Sequence, residues 1–294
     1  MAIRVLNANE LVEETLQSHL LKIEQKLSGD GLAFVGPITL GIDDALRDAV
    51  EAIDNKRDKL IFILETDGGY AETARRIADM LRHHYKMVVF VVPGYALSAG
   101  TILVMSGDAI YMDYFSILGP IDPQVASSAG KPIPASGYLI RYEQLLDKAN
   151  TGSATTAEME LLLNFDQGEL YSYEQARDLA RALLEEWLVK YKFKDWNHTE
   201  TRRVAVDDNM KKERARQIAD KLQEVRIWNS HAMGISMKQL REQVGLKIDD
   251  FGQDVKLNES VRQYHRLLLD YMGKMGQAIG IHTRQGYNPL ATQS

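Results

Sequence analysis

The chain has 294 residues, of which 35 are Lys or Arg and 41 are Asp or Glu, so its formal net charge is −6. This charge excludes a protein that binds nucleic acid mainly through a basic face, and the 45% of hydrophobic residues excludes a disordered chain. Cysteine is absent, which excludes disulfides, zinc–thiolate sites and a thiol nucleophile. No apolar run approaches the ~20 residues of a membrane helix, and the first residues lack the apolar segment of a secretory signal. We therefore expect a cytoplasmic protein that makes no contact with a membrane.

The first 120 residues alternate strands, turns and helices after an amphipathic arm at 9–27. Apolar runs predict strands at 32–38, 59–64 and 87–92, and a further strand that begins at 109–112. Between them we predict helices at 43–53 and 71–84 and a third that follows PGYALSAGT to about residue 106. Two of these strands are apolar throughout, as is usual for strands that are buried on both faces. The alternation predicts a parallel α/β core, in which ligands bind at the carboxyl ends of the strands.

The sequence pattern predicts a mainly helical second half of the chain. A stretch rich in Pro, Gly and Ser at 119–137 predicts an ordered turn that runs into a mobile loop. Helical segments are predicted after it at 138–150, 155–164, 169–192, 210–227, 237–244 and 256–279, and the tail from 282 is expected to be frayed. We expect three regions: an N-terminal helical arm at 1–30, an α/β core at 31–200 and a helical C-terminal region at 201–294.

Two turns built from small residues follow successive buried strands. TDGG (66–69) ends the first strand, and PGYALSAGT (93–101), which contains Ser98, ends the second. Adjacent glycines allow a backbone N–H to face the crevice, so the N–H groups of Gly69 and Ala99 could form an oxyanion hole. The plainer alternatives are a helix N-cap for Ser98 and a simple tight turn for the glycines.

The order of these segments resembles the superfamily of the ClpP peptidase, signal peptide peptidase A and the crotonases, with Ser98 following Gly68 by 30 residues. Within it, LETDGG (64–69), SAGT (98–101), LGPIDPQ (118–124) and the later WNSHAMGIS (228–236) resemble the serine dehydrogenase proteinase family. The resemblance implies a ClpP/crotonase-like spiral of ββα units with a long helical C-terminal half. It also implies a cofactor-independent serine peptidase in which Ser98 is the nucleophile.

The sequence offers more than one candidate for the base that activates the serine. The resemblance implies a triad of Ser98, Asp122 and His231, in which the imidazole takes the serine proton and the carboxylate orients the imidazole. From the residues alone, Asp122 could simply form an Asx-turn and His231 could be a surface residue. A serine–lysine dyad, as in signal peptide peptidase A, would use Lys131 or Lys148 and would require a desolvated amine.

The resemblance also implies a partner, an extended peptide or protein substrate that contacts Asp67, Gly68, Gly119 and Pro120. The superfamily assembles into rings, which implies a homo-oligomer, whereas nothing indicates an ATPase partner. No metal-ligand spacing or dinucleotide fingerprint occurs, so no cofactor is expected. Two other functions stay open: a non-catalytic scaffold, because no histidine occupies the ClpP position, and a crotonase-like acyl-CoA enzyme, which would need a carboxylate base.

Overall fold

The computed structural model describes residues 7–121, 124–126, 132–199, 201, 203–224 and 234–290. Their strands, in chain order, are β1 (Asp30–Val35), β2 (Lys59–Glu65), β3 (Met87–Val91), β4 (Tyr95–Ala96), β5 (Ala109–Met112), β6 (Ile117–Leu118), β7 (Gln124–Ala126), β8 (Pro132–Pro134), β9 (Ile235–Ser236), β10 (Asp249–Asp250), β11 (Ile279–Thr283) and β12 (Gly286–Leu290). The main sheet has the order β10-β5-β3-β2-β1-β11-β12. The five strands from β10 to β1 are parallel, whereas β11 and β12 are antiparallel to their neighbours.

The helices of the described residues are α1 (Ala8–Leu27), α2 (Ile42–Glu51), α3 (Ala71–His84), α4 (Ala99–Val104), α5 (Ala135–Asn150), α6 (Thr156–Leu163), α7 (Gln167–Trp187), α8 (Asp208–Gln223), α9 (Met237–Gln239) and α10 (Val255–Lys274). One π-helical turn at Leu188–Lys192 continues α7, and another at Leu240–Val244 continues α9. The structure confirms the predicted α/β class, with its parallel core and a second half that is mainly helical.

Helices cover both faces of the sheet, which explains why its central strands are apolar throughout. Along β2, Leu60 and Phe62 point into a cluster that helices α2, α3, α4, α7 and α8 close. Ile61 and Ile63 point the other way, into a cluster that α1 and α10 close. Since successive side chains of a strand alternate between faces, only a continuous apolar run can satisfy both layers.

The end of the chain differs from the expectation. The predicted helix at 256–279 ends at Lys274, and residues 279–290 form an antiparallel hairpin instead of a frayed tail. The prediction of a frayed tail from 282 is therefore wrong for the residues up to 290. Strand β11 pairs with β1 from Leu32 to Val35, so the hairpin extends the main sheet beyond its parallel part. A two-residue loop, Arg284–Gln285, joins its strands.

A small second sheet lies beside the carboxyl ends of the main strands. It has the order β4-β6-β9, in which β4 and β6 are parallel and β9 is antiparallel to β6. Strand β4 leads into the segment with Ser98, and β6 leads into the Gly119 turn. Of the loop predicted at 119–137, residues 122–123 and 127–131 lie outside the described residues, and the division into regions 1–30, 31–200 and 201–294 stays a prediction.

Candidate active site

The turn after β2 is held by two backbone contacts to Ile38. The Ile38 N–H donates to the Gly68 carbonyl at 2.8 Å, and the Ile38 carbonyl accepts the Tyr70 N–H at 2.9 Å. Because both contacts use the residues on either side of Gly69, its own N–H points away from Ile38. The Thr66 hydroxyl accepts the Gly68 N–H at 3.0 Å and fixes the start of this turn. Both glycines have positive φ, 104° at Gly68 and 146° at Gly69, which a residue with a side chain rarely adopts.

Ser98 lies at the sharp turn between β4 and α4. Its backbone has φ 51° and ψ −118°, an uncommon conformation for a residue with a side chain, and its exposure is 1%. Such strain costs about 1–3 kcal/mol and is typical of functional turns. Ser98 occupies the N-cap position, but its side chain accepts no capping hydrogen bond from α4. The capping alternative therefore does not explain the serine.

The two turns meet directly. A methyl group added at Gly68 would lie 2.7 Å from the Ser98 Cβ, 2.7 Å from the Leu97 carbonyl oxygen and 3.2 Å from the Ala99 nitrogen. Within the described part of the chain, the N–H groups of Gly69 and Ala99 donate to no acceptor. Ala99 is completely buried, and a buried N–H without an acceptor is rare in proteins. The structure therefore places two unused backbone donors on the two turns that meet at Ser98.

A third segment, the turn after β6, also lies against Ser98. A methyl group added at Gly119 would lie 3.0 Å from the Leu97 Cα and 3.1 Å from the Ser98 nitrogen, so only a glycine fits without displacing this backbone. The Gly119 N–H donates to the Ala96 carbonyl at 3.1 Å and to the Thr101 hydroxyl at 3.0 Å. Three backbone segments, around Gly68, Ser98 and Gly119, thus converge at one point.

Asp122, His231 and Lys131 lie outside the described residues, so their predicted roles stay predictions. The residues that flank them are described. The Ile121 N–H donates to the Leu222 carbonyl at 3.0 Å, near the end of α8, and Leu118 pairs with Ile235 at the start of β9. Leu222 and Ile235, which lie on either side of the segment that contains His231, are therefore both hydrogen-bonded to the 118–121 stretch that precedes Asp122.

Lys148, the alternative base, lies on α5 in a different environment. Its Nζ donates to Glu158 Oε1 at 2.5 Å, and its side chain is 48% exposed. The hydrogen bond from Lys148 lowers the pKa of the Glu158 carboxyl to about 2. An exposed, paired ammonium contrasts with the desolvated amine that a serine–lysine dyad requires. The geometry of Lys148 therefore does not favour this role.

The predicted substrate contacts differ in their exposure. Asp67 is exposed at the edge of the turn, whereas Pro120 is buried like the two glycines of the predicted set. The Tyr95 hydroxyl bonds to the Asp67 side chain, and burial together with the nearby carboxylates of Asp67 and Glu65 raises the pKa of Tyr95. Of the predicted contacts, only Asp67 offers a charged side chain to solvent.

Two threonines take part in this site although neither was predicted to have a role. Thr66 holds the Gly68 turn, and the completely buried Thr101 holds Gly119. Each threonine stands inside a motif quoted above, Thr66 in LETDGG and Thr101 in SAGT. A hydroxyl residue within two residues of a glycine in each motif is the signal that could have found them.

No group of three or more His, Asp or Glu side chains in the described residues could hold a metal ion. Among the helices that the structure describes, none is both long and apolar enough to cross a bilayer.

Residues 34–187, just over half of the chain, match the family described as ClpP-like SDH-type serine proteinase. Two uncharacterized proteins of Methanocaldococcus jannaschii are similar: MJ0137 is 31% identical over 134 residues, 44% of this chain and 47% of that protein. MJ1495 is 27% identical over 125 residues, 41% of this chain and 42% of that protein. The chain thus spans less than half the length of these curated relatives.

Solved structures of low sequence identity are also similar. An alanine variant of the 1510-N membrane-bound stomatin-specific protease has a TM-score of 0.42 at 13% identity and covers 77% of this chain and 81% of its own. ClpP1 from Listeria monocytogenes has a TM-score of 0.29 at 16% identity and covers 51% of this chain and 91% of its own.

Proposed function

The chain belongs to the family of ClpP-like SDH-type serine proteinases, and from this premise we propose that it hydrolyses peptide bonds through an acyl-enzyme on Ser98. One observation carries the proposal: the N–H groups of Gly69 and Ala99, which find no acceptor among the described residues, flank a strained and buried serine. Backbone donors of this kind stabilise the charge that develops on a carbonyl oxygen under attack. A scaffold with no reaction to catalyse has no need of either the strain or the unused donors.

In the proposed reaction the Ser98 Oγ attacks the peptide carbonyl carbon while its proton passes to the base. The new C–O bond makes a tetrahedral intermediate, whose oxyanion accepts hydrogen bonds from the N–H groups of Gly69 and Ala99. The C–N bond then breaks, and the base returns the proton to the leaving amine. A water molecule repeats the sequence on the ester and releases the acid, so that Ser98 is regenerated.

We propose His231 as the base and Asp122 as the carboxylate that orients it. Support comes from the described residues that flank them in the chain. Ile121 directly precedes Asp122 and lies two residues after Gly119, which packs against Ser98. Ile235, four residues after His231, pairs with Leu118 in the strand that leads into the Gly119 turn.

The substrate in this proposal is an extended peptide or an unfolded protein, with Asp67, Gly68, Gly119 and Pro120 lining its path. The exposed carboxylate of Asp67 would favour a basic side chain nearby. The homo-oligomer and the cytoplasmic location that the sequence led us to expect stay predictions.

Trapping of the acyl-enzyme tests this proposal. The protein is mixed with a peptide p-nitrophenyl ester, the reaction is quenched in acid, and the mass of the intact protein is measured by mass spectrometry. We expect an initial burst of nitrophenol and one acyl group per chain, located on the tryptic peptide that contains Ser98.

Ser98→Ala should abolish both the burst and the adduct. The matched control is Ser172→Ala, which removes an exposed hydroxyl on α7 and should leave both unchanged. An adduct that persists in folded Ser98→Ala would refute Ser98 as the nucleophile. Absence of any adduct on the folded wild-type protein would favour the scaffold alternative.

A further inference from the structure

A buried hydrogen bond lies directly behind the Gly68 turn. Glu65, in the LETDGG motif, is the last residue of β2, and its Oε2 accepts a hydrogen bond from Nε2 of His265 on α10 at 2.6 Å. Glu65 continues the row of Ile61 and Ile63, which faces α1 and α10. Both side chains of the pair are largely buried, with 8% exposure for Glu65 and 13% for His265. The pair is therefore shielded from water, and the proposed reaction does not use it.

The same carboxylate packs against the segment that leads to Ser98. A methyl group added at Gly94 would overlap with Glu65 Oε2 and would lie 3.4 Å from His265 Cε1. Gly94 does not adopt a positive φ, so lack of space rather than backbone conformation requires glycine at this position. Since Gly94 comes just before β4, the pair of Glu65 and His265 contacts the start of both segments that form the site.

Helix α10 holds the second of these segments at another point as well. Arg262, which lies one helical turn before His265, donates to the Pro93 carbonyl at 3.3 Å and pairs with the buried Asp113 carboxylate. The end of β3 thus has an anchor on α10 that does not involve Glu65. The end of β2 is anchored on the same helix through the hydrogen bond from His265.

Loss of the imidazole would leave the Glu65 carboxylate buried without this partner. A buried, unpaired charge is strongly unfavourable, so the side chain would move towards water and would displace the end of β2 with it. Two backbone hydrogen bonds of Thr66, at 3.0 and 3.1 Å to the segment that leads to Ser98, would limit this movement. We therefore expect a small displacement of the Gly69 N–H relative to the Ala99 N–H, and not a collapse of the site.

We propose that His265 is a positioning residue of the oxyanion hole: it holds the Glu65 carboxylate against Gly94 and thereby sets the position of the Gly69 N–H relative to the Ala99 N–H. This inference rests on the proposed function. His265 lies behind the turns, on the α10 side of the sheet, so it acts through the backbone and not by contact with the substrate.

The test measures acylation by the peptide p-nitrophenyl ester in single turnovers. In His265→Ala we expect the maximal acylation rate to fall by roughly 10–100-fold, since a misplacement of about 1 Å can cost that much. The ester concentration at half-maximal rate should change by less than about threefold, because an oxyanion hole acts on the transition state and not on the bound ester. Adding Glu65→Gln should bring the rate back to within a few-fold of wild type, because a neutral amide tolerates burial better than an unpaired carboxylate.

Binding of a peptide aldehyde separates positioning from a general loss of stability. The Ser98 Oγ adds to the aldehyde carbon to form a C–O bond while its proton passes to the base, so the aldehyde oxygen becomes the oxyanion. The inhibition constant of the aldehyde should rise in His265→Ala by the same factor by which the acylation rate falls. The corresponding peptide alcohol, which forms no such bond, should bind as it does to the wild-type protein.

His282→Ala is the matched control. His282 is another buried histidine that bonds to α10, through the Tyr264 hydroxyl at 2.8 Å, but it lies on β11 and not at the end of β2. Its removal should lower the Tm and leave both the acylation rate and the binding of the aldehyde unchanged.

Wild-type acylation and aldehyde binding in His265→Ala would overturn the inference, and so would an equal loss in His282→Ala or a lack of recovery in His265→Ala/Glu65→Gln. If His265→Ala does not fold, Gly94→Ala tests the same packing, because its methyl group would displace the Glu65 carboxylate while the histidine stays. In that case Gly94→Ala must show slower acylation and weaker binding of the aldehyde. Wild-type protein that forms no acyl-enzyme overturns the proposed function itself, whereas active wild type with an unaffected His265→Ala overturns the positioning role alone.

Discussion

Gly68 is the residue at which a single added methyl group would press most directly on the Ser98 turn. In Gly68→Ala the new Cβ would lie 2.7 Å from both the Leu97 carbonyl oxygen and the Ser98 Cβ, and 3.2 Å from the Ala99 nitrogen. The first and last of these neighbours are backbone atoms, which cannot rotate away as a flexible side chain would. The backbone of Gly68 also has φ 104°, which alanine rarely adopts.

Both effects lower the stability of Gly68→Ala. Backbone strain costs about 1–3 kcal/mol, and overpacking of a filled site costs about 1–3 kcal/mol more. We therefore expect the free energy of unfolding to fall by about 2–6 kcal/mol. The loss should appear as a Tm lower by roughly 4 °C or more, at about 2–4 °C per kcal/mol.

The same change should disturb the proposed oxyanion hole. If the variant relieves its clash by moving Ala99, a backbone donor is displaced, and the loss of one such donor costs about 10²–10³ in rate. Acylation by the peptide ester, measured at a temperature at which circular dichroism shows the variant to be folded, should slow by that factor.

Gly273→Ala is the matched control, since Gly273 lies on α10 with no atom within 4 Å of an added Cβ. It should raise stability by about 0.5–1 kcal/mol, because alanine suits a helix better than glycine. Gly68→Ala protein with wild-type Tm and wild-type acylation rate would refute the close packing of the two turns.

Three further changes follow from the packing. Arg262→Ala should lower the free energy of unfolding by about 3–5 kcal/mol, because it leaves the buried Asp113 carboxylate without its ion-pair partner. Adding Asp113→Asn should restore part of that loss in urea denaturation, and full additivity of the two changes would contradict the pairing. Gly69→Ala should be more damaging than Gly68→Ala in thermal unfolding, since its methyl group would lie 2.1 Å from the Ile38 carbonyl oxygen. Burial lowers the pKa of His282 from 6.5 to about 4. Between pH 6.5 and pH 4, this histidine is therefore protonated in the unfolded chain and neutral in the folded chain. Stability should therefore fall as pH falls through this window, by up to ~3 kcal/mol, and urea midpoints at about pH 7 and about pH 5 should differ less in His282→Gln.

The parallel core and the meeting of its two turns could be predicted because both depend on local patterns. Continuous apolar runs at 59–64 and 87–92 identify strands buried on both faces, and the carboxyl ends of parallel neighbours must lie together. The Gly68 turn and Ser98 follow such strands directly, so their proximity could be expected from the sequence alone. The proposed oxyanion hole depends on the direction of the Gly69 and Ala99 N–H groups, and the activation of Ser98 depends on which residue is its base. Neither can be deduced from a hydrophobic pattern.

The hairpin at the end of the chain could not be predicted in the same way. Gly280, Gly286 and Pro289 are residues that usually interrupt strands, and β11 gains its order by pairing with β1, whose residues lie 245 to 251 positions earlier in the chain. The two-residue strands β4, β6 and β9 are likewise too short to leave an alternating pattern. Thr101 acquires its role only through Gly119, 18 residues further along, and a contact of that kind follows from the fold rather than from the motif.

Fluorophosphonate labelling tests the central claim most directly, because the probe reacts only with an activated serine. The wild-type protein, Ser98→Ala, His231→Ala and Lys148→Ala are incubated with the probe and weighed by intact-mass spectrometry. We expect one adduct per wild-type chain, none in Ser98→Ala or His231→Ala, and unchanged labelling in Lys148→Ala. Labelling that survives in folded Ser98→Ala, or that is lost in Lys148→Ala and kept in His231→Ala, would contradict the claim.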